Sequence, residues 1–333
     1  MCTRAYANAL HSDEGIPAVI AGVPSLMDDP ISTSVYSTDI LTALPGVLKR
    51  EGYSTAFYHG GTNGTMSFDI FCANAGFEKY YGRTEYGNEK DYDGNWGIWD
   101  GPFLQYFVKG LSVMKQPFMA SVFTVTSHEP YNLPDQYTDS LPEGPLPICK
   151  CIGYTDRALK NFFAVASRQP WFNNTLFIIT PDHCSPLTNP TSHNMDNYAI
   201  PILYYAPGDT TLKGYNNTLT QQIDIVPSAL DYLGYSKPFF AFGNSIFRNV
   251  SNRYTINYLT NTYQLVRDGY LLQSVNTQPT GLYLFPADSA YKNNLLAENQ
   301  EQAGKQLAVL KIYLQLYHSA LIHNTMWVKE DKK

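Results

Sequence analysis

The sequence predicts an α/β fold: a mostly parallel central sheet with helices on both faces, plus a small C-terminal antiparallel sheet and a terminal helix. Up to about Phe247, short apolar runs rich in β-favouring residues alternate with segments of helical spacing. Such alternation is typical of a parallel sheet whose strands are joined by helices. Beyond Phe247, strand-like runs separated by turn residues precede a long amphipathic segment. We therefore expect an α/β domain over residues 1–247 and an α+β subdomain over residues 248–333 packed on it.

The individual elements follow from apolar periodicity and from turn residues. Helical spacing predicts helices over Thr38–Ser54, Pro102–Met114, Ile152–Phe172 and Gln221–Tyr235. The strand-like runs between them are "TAFYHG", "PFMASVFTVTSHEPY", "NTLFIITPDH" and "AIPILYYAPG". In the C-terminal part, "YTINYLTNTYQLVRDGYLLQSV" and "TGLYLFPAD" predict antiparallel strands, and Glu301–Trp327 predicts the closing helix.

The composition argues against several classes of function. A net charge of −6 with 16% charged residues leaves no basic surface for nucleic acid. No apolar run reaches the roughly 18 residues of a membrane-spanning helix, and we expect no signal peptide at the start of this chain. The five cysteines are irregularly spaced, which argues against a disulfide framework or a paired-cysteine zinc site.

Histidines mark the ends of the predicted strands. Three of them lie at strand ends, in "FYHGG" (His59), "TVTSHEP" (His128) and "TPDHC" (His183), and His193 lies ten residues beyond His183. Because ligands of open α/β sheets bind beyond the carboxyl ends of the strands, we expect these side chains to converge. A single strand-end histidine would favour a structural role. Four of the seven histidines, one of them next to Asp182, favour a polar pocket that can bind Zn²⁺ or Mn²⁺.

Ser12 is the candidate nucleophile for such a pocket. It directly precedes "DEGIPAVIAGV", which predicts the start of a helix. A hydroxyl there would lie close to the N-terminal amides and the positive end of the helix dipole, which favour an oxyanion and an anionic substrate. A metal would activate the hydroxyl further. The alternative is that Ser12 only caps the helix, and this stretch taken alone favours the cap.

Several motifs together carry a resemblance to a known family. They are "FYHGGTNGTMSFDIFCANAGFEKYYG", "TVTSHEPY", "IGYTDRALKNFF", "NNTLFIITPDH", "TSHN", "AIPILYYAPG" and "QQIDIVPSALDYLGY". In this order they resemble the lipoteichoic acid synthase-like branch of the alkaline phosphatase/sulfatase superfamily. The resemblance covers roughly Ala5 to Phe247, and the part after Phe247 is similar to a sulfatase-like C-terminal subdomain. No single motif would suffice; the combination is specific.

The resemblance implies a reaction and a metal site. In this family a Thr or Ser coordinated to a divalent metal takes up a phospho group. Ser12 stands at the nucleophile position, although His11 replaces the usual neighbour, and Asp182 and His183 match two metal ligands. The expected metal is Mn²⁺ or Zn²⁺, with one ligand missing upstream of Met1. The family's first strand ends in Glu or Asp before the nucleophile, and "MCTRAYANAL" has no acidic residue and no room for that strand.

The resemblance also implies residues that contact the substrate. His128 matches a histidine that contacts the phospho group or assists the leaving group, and His193 matches a further active-site histidine. Asn63, in "HGGTNGTMSFD", is a candidate substrate contact. His59 is another, for which a simple turn after the strand is an equal alternative.

Two departures from the family pattern concern the substrate. Met66 and Phe68 stand where the phosphoglycerol-handling members have Trp and Arg, which argues against a phosphoglycerol headgroup. Sulfatases proper need a Cys/Ser-x-Pro-x-Arg pattern to form formylglycine, and "HSDEG" lacks it. The resemblance therefore implies phosphoryl rather than sulfuryl chemistry.

The expected function is a metal-dependent phosphotransferase, of the phosphoglycerol or phosphoethanolamine type, that acts on a cell-envelope phospholipid or glycan through a phosphoserine. The alternatives are a phosphodiesterase or sulfatase-type hydrolase with the same site, and a catalytically impaired binding domain. The resemblance implies a location on the periplasmic or extracellular face of a bacterial inner membrane, with a membrane anchor upstream of this chain.

Two explanations of the missing metal ligand stay open. The chain is either a trimmed piece of a longer exported protein or a degenerate member with an incomplete metal site. The first is favoured, because the other expected site residues are present.

Overall fold

A computed structural model describes residues 1–137, 140–185 and 194–328. The chain folds into two compact units. Unit 1 comprises Met1–Leu44, Phe177–Tyr205 and Leu212–Lys333, and unit 2 comprises Pro45–Leu176 and Ala206–Thr211. The domain boundary at residue 247 stays a prediction.

The helices and strands follow the predicted alternation closely. The strands are β1 (Cys2–Tyr6), β2 (Ser54–His59), β3 (Lys79–Tyr81), β4 (Phe118–Phe123), β5 (Phe177–Ile179), β6 (Ala199–Tyr205), β7 (Thr220–Gln221), β8 (Tyr254–Leu259), β9 (Thr262–Arg267), β10 (Tyr270–Val275) and β11 (Gln278–Leu284). The α-helices are α1 (Ser12–Ala21), α2 (Leu44–Arg50), α3 (Phe68–Ala75), α4 (Arg83–Tyr86), α5 (Asp100–Val113), α6 (Ile148–Ala166), α7 (Ile225–Tyr232) and α8 (Gln300–Ile322).

Unit 2 contains a parallel sheet in the order β3-β2-β4. The central strand β2 is buried from Thr55 to His59, as expected for a strand with neighbours on both sides. All six residues of β4 are partly exposed, although most are apolar, because β4 lies at the edge of this sheet. Helix α2 covers Leu44–Arg50 and is shorter at both ends than the predicted Thr38–Ser54; Gly52 follows it in the left-handed conformation (φ 88°).

Unit 1 contains a mixed sheet in the order β5-β6-β1-β7. Strand β6 runs antiparallel to both β5 and β1, whereas β1 and β7 are parallel. The first ten residues, which we expected to be too short for the family's first strand, nevertheless contain a strand, β1. It carries no acidic residue. The predicted α/β class is confirmed, but this sheet is mixed, because apolar runs reveal where strands lie and not which way they run.

The C-terminal sheet is an antiparallel meander in the order β11-β10-β9-β8, as the sequence predicts. Each of its three hairpins turns through two residues with positive φ, the geometry that matches the twist of paired strands. The turn residues are Thr260-Asn261, Asp268-Gly269 and Asn276-Thr277. Only the Asp-Gly pair is a strong turn signal in the sequence.

The C-terminal meander shares an apolar core with the rest of unit 1. Val266, Leu271 and Tyr283 pack in one cluster with Tyr6 of β1 and Tyr198, which precedes β6. Helix α8 packs on β9, β10 and β11, and Gln306 Nε2 donates to the Arg267 carbonyl at 2.8 Å. Within the described ranges, no helix combines the length and the apolar character needed to cross a membrane.

A buried carboxylate fixes the chain that leaves β4 in unit 2. Asp100, the first residue of α5, is 1% exposed. Its Oδ1 accepts from the Val125 and Thr126 amides, both at 3.0 Å, and its Oδ2 accepts from the Thr155 hydroxyl at 2.5 Å. The Asp100 side chain, at the start of α5, is thus hydrogen-bonded both to the segment that follows β4 and to helix α6.

Asp100→Ala should lower the free energy of unfolding of unit 2 by about 3 kcal/mol, because it leaves the buried Thr126 amide and the partly buried Val125 amide without acceptors. Urea denaturation followed by tryptophan fluorescence measures this. Asp156→Ala is the matched control, since Asp156 is an exposed aspartate on α6 and should change the free energy by less than about 0.5 kcal/mol. Equal effects of the two substitutions would contradict the role given to Asp100.

Candidate active site

Ser12 begins helix α1 but does not cap it. The N-cap position belongs to His11, whose backbone is extended and whose side chain makes no capping hydrogen bond. The Ser12 hydroxyl instead donates to Asp182 Oδ2 at 2.5 Å, across 170 positions of sequence. The cap that the short stretch alone favours is therefore wrong, because the Ser12 side chain has a long-range acceptor that no local pattern reveals.

Asp182 and His183 lie just beyond the end of β5, as the sequence predicts. His183 Nε2 lies 3.4 Å from Ser12 Oγ and 3.3 Å from Asp182 Oδ2, so three polar atoms face one point. His183 Nδ1 lies 2.7 Å from the Cys184 carbonyl. A carbonyl only accepts, so Nδ1 carries the hydrogen and Nε2 keeps its lone pair toward Ser12 and Asp182.

This donor set fits a divalent cation. Hydroxyl, carboxylate and imidazole donors bind Zn²⁺ at about 2.0–2.2 Å, which puts donor atoms on one ion roughly 3 Å apart. His183 Nε2 lies 3.4 Å from Ser12 Oγ and 3.3 Å from Asp182 Oδ2, which matches that spacing. Ser12 Oγ and Asp182 Oδ2, at 2.5 Å, are at hydrogen-bond distance and would move apart to share an ion. No three His, Cys, Asp or Glu side chains cluster as a metal group within the described ranges; the third oxygen or nitrogen that faces this point is the serine hydroxyl.

Gly15 allows α1 to approach the end of β5. A Cβ built at Gly15 would lie 2.4 Å from the Asp182 carbonyl oxygen, closer than any real Cβ contact. Gln222 holds the same point from another direction, since its Nε2 donates to the Pro181 and Asp182 carbonyls at 2.9 and 2.6 Å. Its Oε1 accepts from the Asn8 amide at 2.9 Å. The chain before α1 and the end of β5 are thus joined through one buried amide side chain.

The first turn of α1 carries charge beside Ser12. Glu14 accepts from the Ser25 hydroxyl at 3.1 Å and lies 3.6 Å from His11 Nδ1. The hydrogen bond with Glu14 raises the pKa of His11, while burial raises the pKa of Asp13. An exposed imidazole that readily becomes positive therefore stands next to Ser12, at the end of the helix that already favours anions.

His128 and Asn63 lie in unit 2. His128 is exposed on the turn after β4, and its Nδ1 lies 3.1 Å from the Glu129 carbonyl. Asn63 uses both ends of its amide within the protein: Oδ1 accepts from the Thr84 amide at 3.1 Å and Nδ2 donates to Glu85 at 3.0 Å. These bonds hold the start of α4, so Asn63 has a structural task apart from any substrate contact.

His59 is a core histidine in this structure. Its side chain is 2% exposed and packs against the rings of Phe68 and Phe123. Its Nδ1 pairs with the Tyr80 hydroxyl at 2.9 Å. Burial lowers the pKa of His59 to about 4, so the imidazole stays neutral at ordinary pH. The turn alternative of the sequence analysis fits this placement better than substrate contact.

His193, the remaining predicted site residue, lies outside the described residues. Cys184 donates its thiol hydrogen to the Ala199 carbonyl at 2.9 Å, and burial raises its pKa to about 11, which disfavours the thiolate that would bind a metal. Three residues of consequence escape sequence reasoning: Gly15, Gln222 and Trp96. The only sequence signal for Gln222 was the pair of glutamines in "QQID" before α7. The only signal for Gly15 was that a glycine stands within a predicted helix.

Gly15→Ala should lower the free energy of unfolding by about 2 kcal/mol and weaken Mn²⁺ binding, because the new methyl group forces α1 away from Asp182. Thermal denaturation and metal titration measure the two effects. Gly304→Ala is the matched control, a helical glycine of unit 1 whose added Cβ meets nothing within 4 Å. It should be neutral or stabilising by up to about 1 kcal/mol, and a similar result for Gly15→Ala would contradict the close approach.

The burial of His59 predicts a loss of stability in acid. The folded protein keeps His59 neutral down to about pH 4, whereas the unfolded chain takes up a proton near pH 6.5. The contribution of His59 to the free energy of unfolding is therefore fully present above pH 6.5 and falls by about 3 kcal/mol as the pH is lowered towards 4. Urea denaturation between pH 7 and 4 should show a flatter dependence for His59→Gln than for the wild type.

His323→Gln, at an exposed histidine after α8, serves as the control for the acid experiment and should keep the wild-type slope. If His59→Gln kept that slope as well, His59 would not be the buried neutral group described here.

A sequence model of the Sulfatase family matches residues 1–235 of the chain. The chain is also 27% identical over 226 residues to lipoteichoic acid synthase 1 of Bacillus subtilis (strain 168), an alignment that covers 62% of this chain and 35% of that protein. It thus matches only about a third of the length of such relatives.

Two solved structures share the fold. A protein in the alkaline phosphatase superfamily from Vibrio parahaemolyticus aligns with a TM-score of 0.85 at 21% identity, covering 98% of this chain and 79% of that one. A lipoteichoic acid synthase from Listeria monocytogenes aligns with a TM-score of 0.80 at 18% identity, covering 96% and 83%. The family model spans well over half of the chain, so this chain belongs to the Sulfatase family.

Proposed function

We propose that this chain is a metal-dependent phosphotransferase that works through a phosphoserine at Ser12. The observation that carries the proposal is the contact of the Ser12 hydroxyl with Asp182 Oδ2 at 2.5 Å, with His183 Nε2 facing the same point. A serine at the start of a helix, next to two metal-capable side chains, has the features of an activated nucleophile. The 27% identity to a lipoteichoic acid synthase supports transfer chemistry over a purely structural role.

Ser12, Asp182 and His183 would hold the metal, and Mn²⁺ and Zn²⁺ both suit this donor set. When bound, the ion would lower the pKa of the Ser12 hydroxyl and offset negative charge on the phospho group. A further ligand is expected from a strand that ends in Glu or Asp. Among the described residues, strand β5 lies at the edge of its sheet and all three of its residues are partly exposed.

The proposed reaction has two steps. The Ser12 hydroxyl gives up its proton to the carboxylate of Asp182, with which it is hydrogen-bonded, and Oγ attacks phosphorus. The bond from phosphorus to the first alcohol breaks, and that alcohol takes up the proton that Ser12 gave up. A second hydroxyl then attacks the phosphoserine, the bond from phosphorus to Ser12 Oγ breaks, and Oγ takes up the proton that the second hydroxyl loses.

The start of α1 favours the anionic groups that this reaction handles. The helix dipole and the free amides of its first turn attract negative charge. When protonated, the imidazole of His11, whose pKa the Glu14 hydrogen bond raises, offsets the negative charge of Glu14 next to Ser12. His128 keeps its expected role as a contact of the phospho group or the leaving group, as part of the same proposal.

We propose a cell-envelope phospholipid or glycan as the substrate. This rests on the likeness to lipoteichoic acid synthase 1 and on the matching motifs. A phosphoglycerol headgroup held as in the family is disfavoured by Phe68, which stands at the position of the family's Arg. Phe68 is 1% exposed and packs against His59, so it belongs to the core of unit 2.

Ser12→Ala should reduce turnover of a chromogenic phosphodiester, assayed with Mn²⁺ or Zn²⁺, by roughly 10³-fold or more, because no other hydroxyl occupies the nucleophile position. Mass spectrometry of the acid-quenched wild type should find the phospho adduct on the peptide that contains Ser12. Ser32→Ala is the matched control: Ser32 is a buried serine that donates to the Asp13 carbonyl at 3.1 Å, and its loss should leave turnover near the wild-type rate.

The same assay separates the alternatives. Added glycerol that captures the phospho group indicates a transferase, and release to water alone indicates a hydrolase. Full turnover by Ser12→Ala, or an adduct on another residue, would overturn the mechanism. If the wild type bound neither Mn²⁺ nor Zn²⁺ at saturating concentration and turned over no diester, both enzyme functions would be wrong and the binding-domain alternative would remain.

A further inference from the structure

The indole of Trp96 packs directly on the imidazole of His128. The two ring centroids lie 3.8 Å apart with 41° between the ring planes. The residues are 32 positions apart in sequence, and both belong to unit 2. His128 is otherwise exposed. Among the described residues, Trp96 is the aromatic ring that packs on its imidazole.

One carbonyl oxygen serves both rings. The Glu129 carbonyl accepts from Trp96 Nε1 and lies 3.1 Å from His128 Nδ1. Because a carbonyl can only accept, His128 carries its hydrogen on Nδ1 in this arrangement, which leaves the lone pair on Nε2. Free imidazole side chains prefer the opposite tautomer, with the hydrogen on Nε2, so the protein has to select this one.

Trp96 itself is held by a rigid loop. Asp93 Oδ1 accepts from three successive amides, those of Asn95, Trp96 and Gly97, at 2.8, 2.8 and 3.0 Å. Gly97 forms an isolated β-bridge with Gly61. A Cβ added at Gly97 would lie 2.4 Å from the Gly60 carbonyl oxygen, so the two backbones approach closely. The backbone of Trp96 is therefore fixed to the chain that follows β2 by contacts that do not involve His128.

The backbone of His128 is fixed independently. Its amide donates to the Val125 carbonyl at 3.2 Å, and Asp100 holds the amides of Val125 and Thr126. Because these hydrogen bonds fix the backbone near His128, the side-chain torsion angles are what still determine the orientation of the imidazole. The Trp96 ring and the Glu129 carbonyl restrict it from two sides.

We propose that Trp96 is a positioning residue for His128: it holds the imidazole in the tautomer with hydrogen on Nδ1, so that Nε2 is the nitrogen offered to a ligand. Under the proposed function, on which this part of the inference rests, Nε2 accepts the proton of the second hydroxyl as that hydroxyl attacks the phosphoserine. The tautomer itself is a property of the protein alone and needs no metal or substrate.

Nitrogen-15 NMR of histidine-labelled full chain, in alkaline buffer so that the imidazoles are neutral, tests the proposal. In the wild type, Nε2 of His128 should resonate at the downfield position of an unprotonated nitrogen. Trp96→Ala should lose this signature, with the hydrogen moving to Nε2. Trp96→Phe should keep most of it, because a phenyl ring still packs on the imidazole.

Trp99→Phe is the matched control, a tryptophan of the same segment whose ring lies against Tyr154 at 6.5 Å, and it should leave the His128 signals unchanged. An unchanged His59 resonance in each variant certifies that unit 2 is folded. A wild-type tautomer in folded Trp96→Ala, or the Nε2-protonated form in the wild type, would overturn the proposal.

The diester assay adds a second readout. Trp96→Ala should lower kcat about tenfold with little change in KM, and Trp96→Phe should restore most of it. A failure of the proposed function removes this second readout and leaves the tautomer result intact. A failure of the present inference leaves the loss of turnover in Ser12→Ala intact, so the two can be told apart.

Discussion

The candidate site depends on one close approach, that of the first turn of α1 to the end of β5. A helix can approach a strand end this closely only at a residue without a side chain. Gly15 is that residue, because a Cβ there would lie 2.4 Å from the Asp182 carbonyl oxygen. Gln222 then ties the Asp182 carbonyl to the chain before α1. Without this approach Ser12 would be an ordinary residue of a helix start. With it, the Ser12 hydroxyl, the Asp182 carboxylate and the His183 imidazole meet at one point.

Much of this could be predicted from the sequence, because strand ends and helix starts leave local signals. The alternation of apolar runs located the longer helices and most strands but missed β1, β3, β7, α3 and α4. The rule that ligands bind at the carboxyl ends of strands singled out Asp182 and His183. The direction of β6 could not be predicted, since an apolar run looks the same in either direction. Ser12 looked like a helix cap because its true acceptor lies 170 residues away.

The histidines illustrate a second limit of sequence reasoning. His59 and His128 both follow apolar strands, yet one is packed between aromatic rings and the other is exposed. What separates them is the tertiary surroundings: Phe68 and Phe123 enclose His59, whereas the turn that Asp100 stabilises carries His128 outward. In both units, buried polar side chains fix the backbone and leave a few exposed groups free for chemistry. Gln222 and Asp100 are the residues that do this most directly.

The central claim is that Ser12, Asp182 and His183 share one metal ion, and anomalous diffraction tests it most directly. Crystals grown with Mn²⁺ should give a single strong anomalous peak about 2.1 Å from Ser12 Oγ, Asp182 Oδ2 and His183 Nε2. The same peak should be absent from crystals of Asp182→Asn grown in parallel. A wild-type crystal at saturating Mn²⁺ with no peak among these three atoms, or with its only peak elsewhere, would contradict the account.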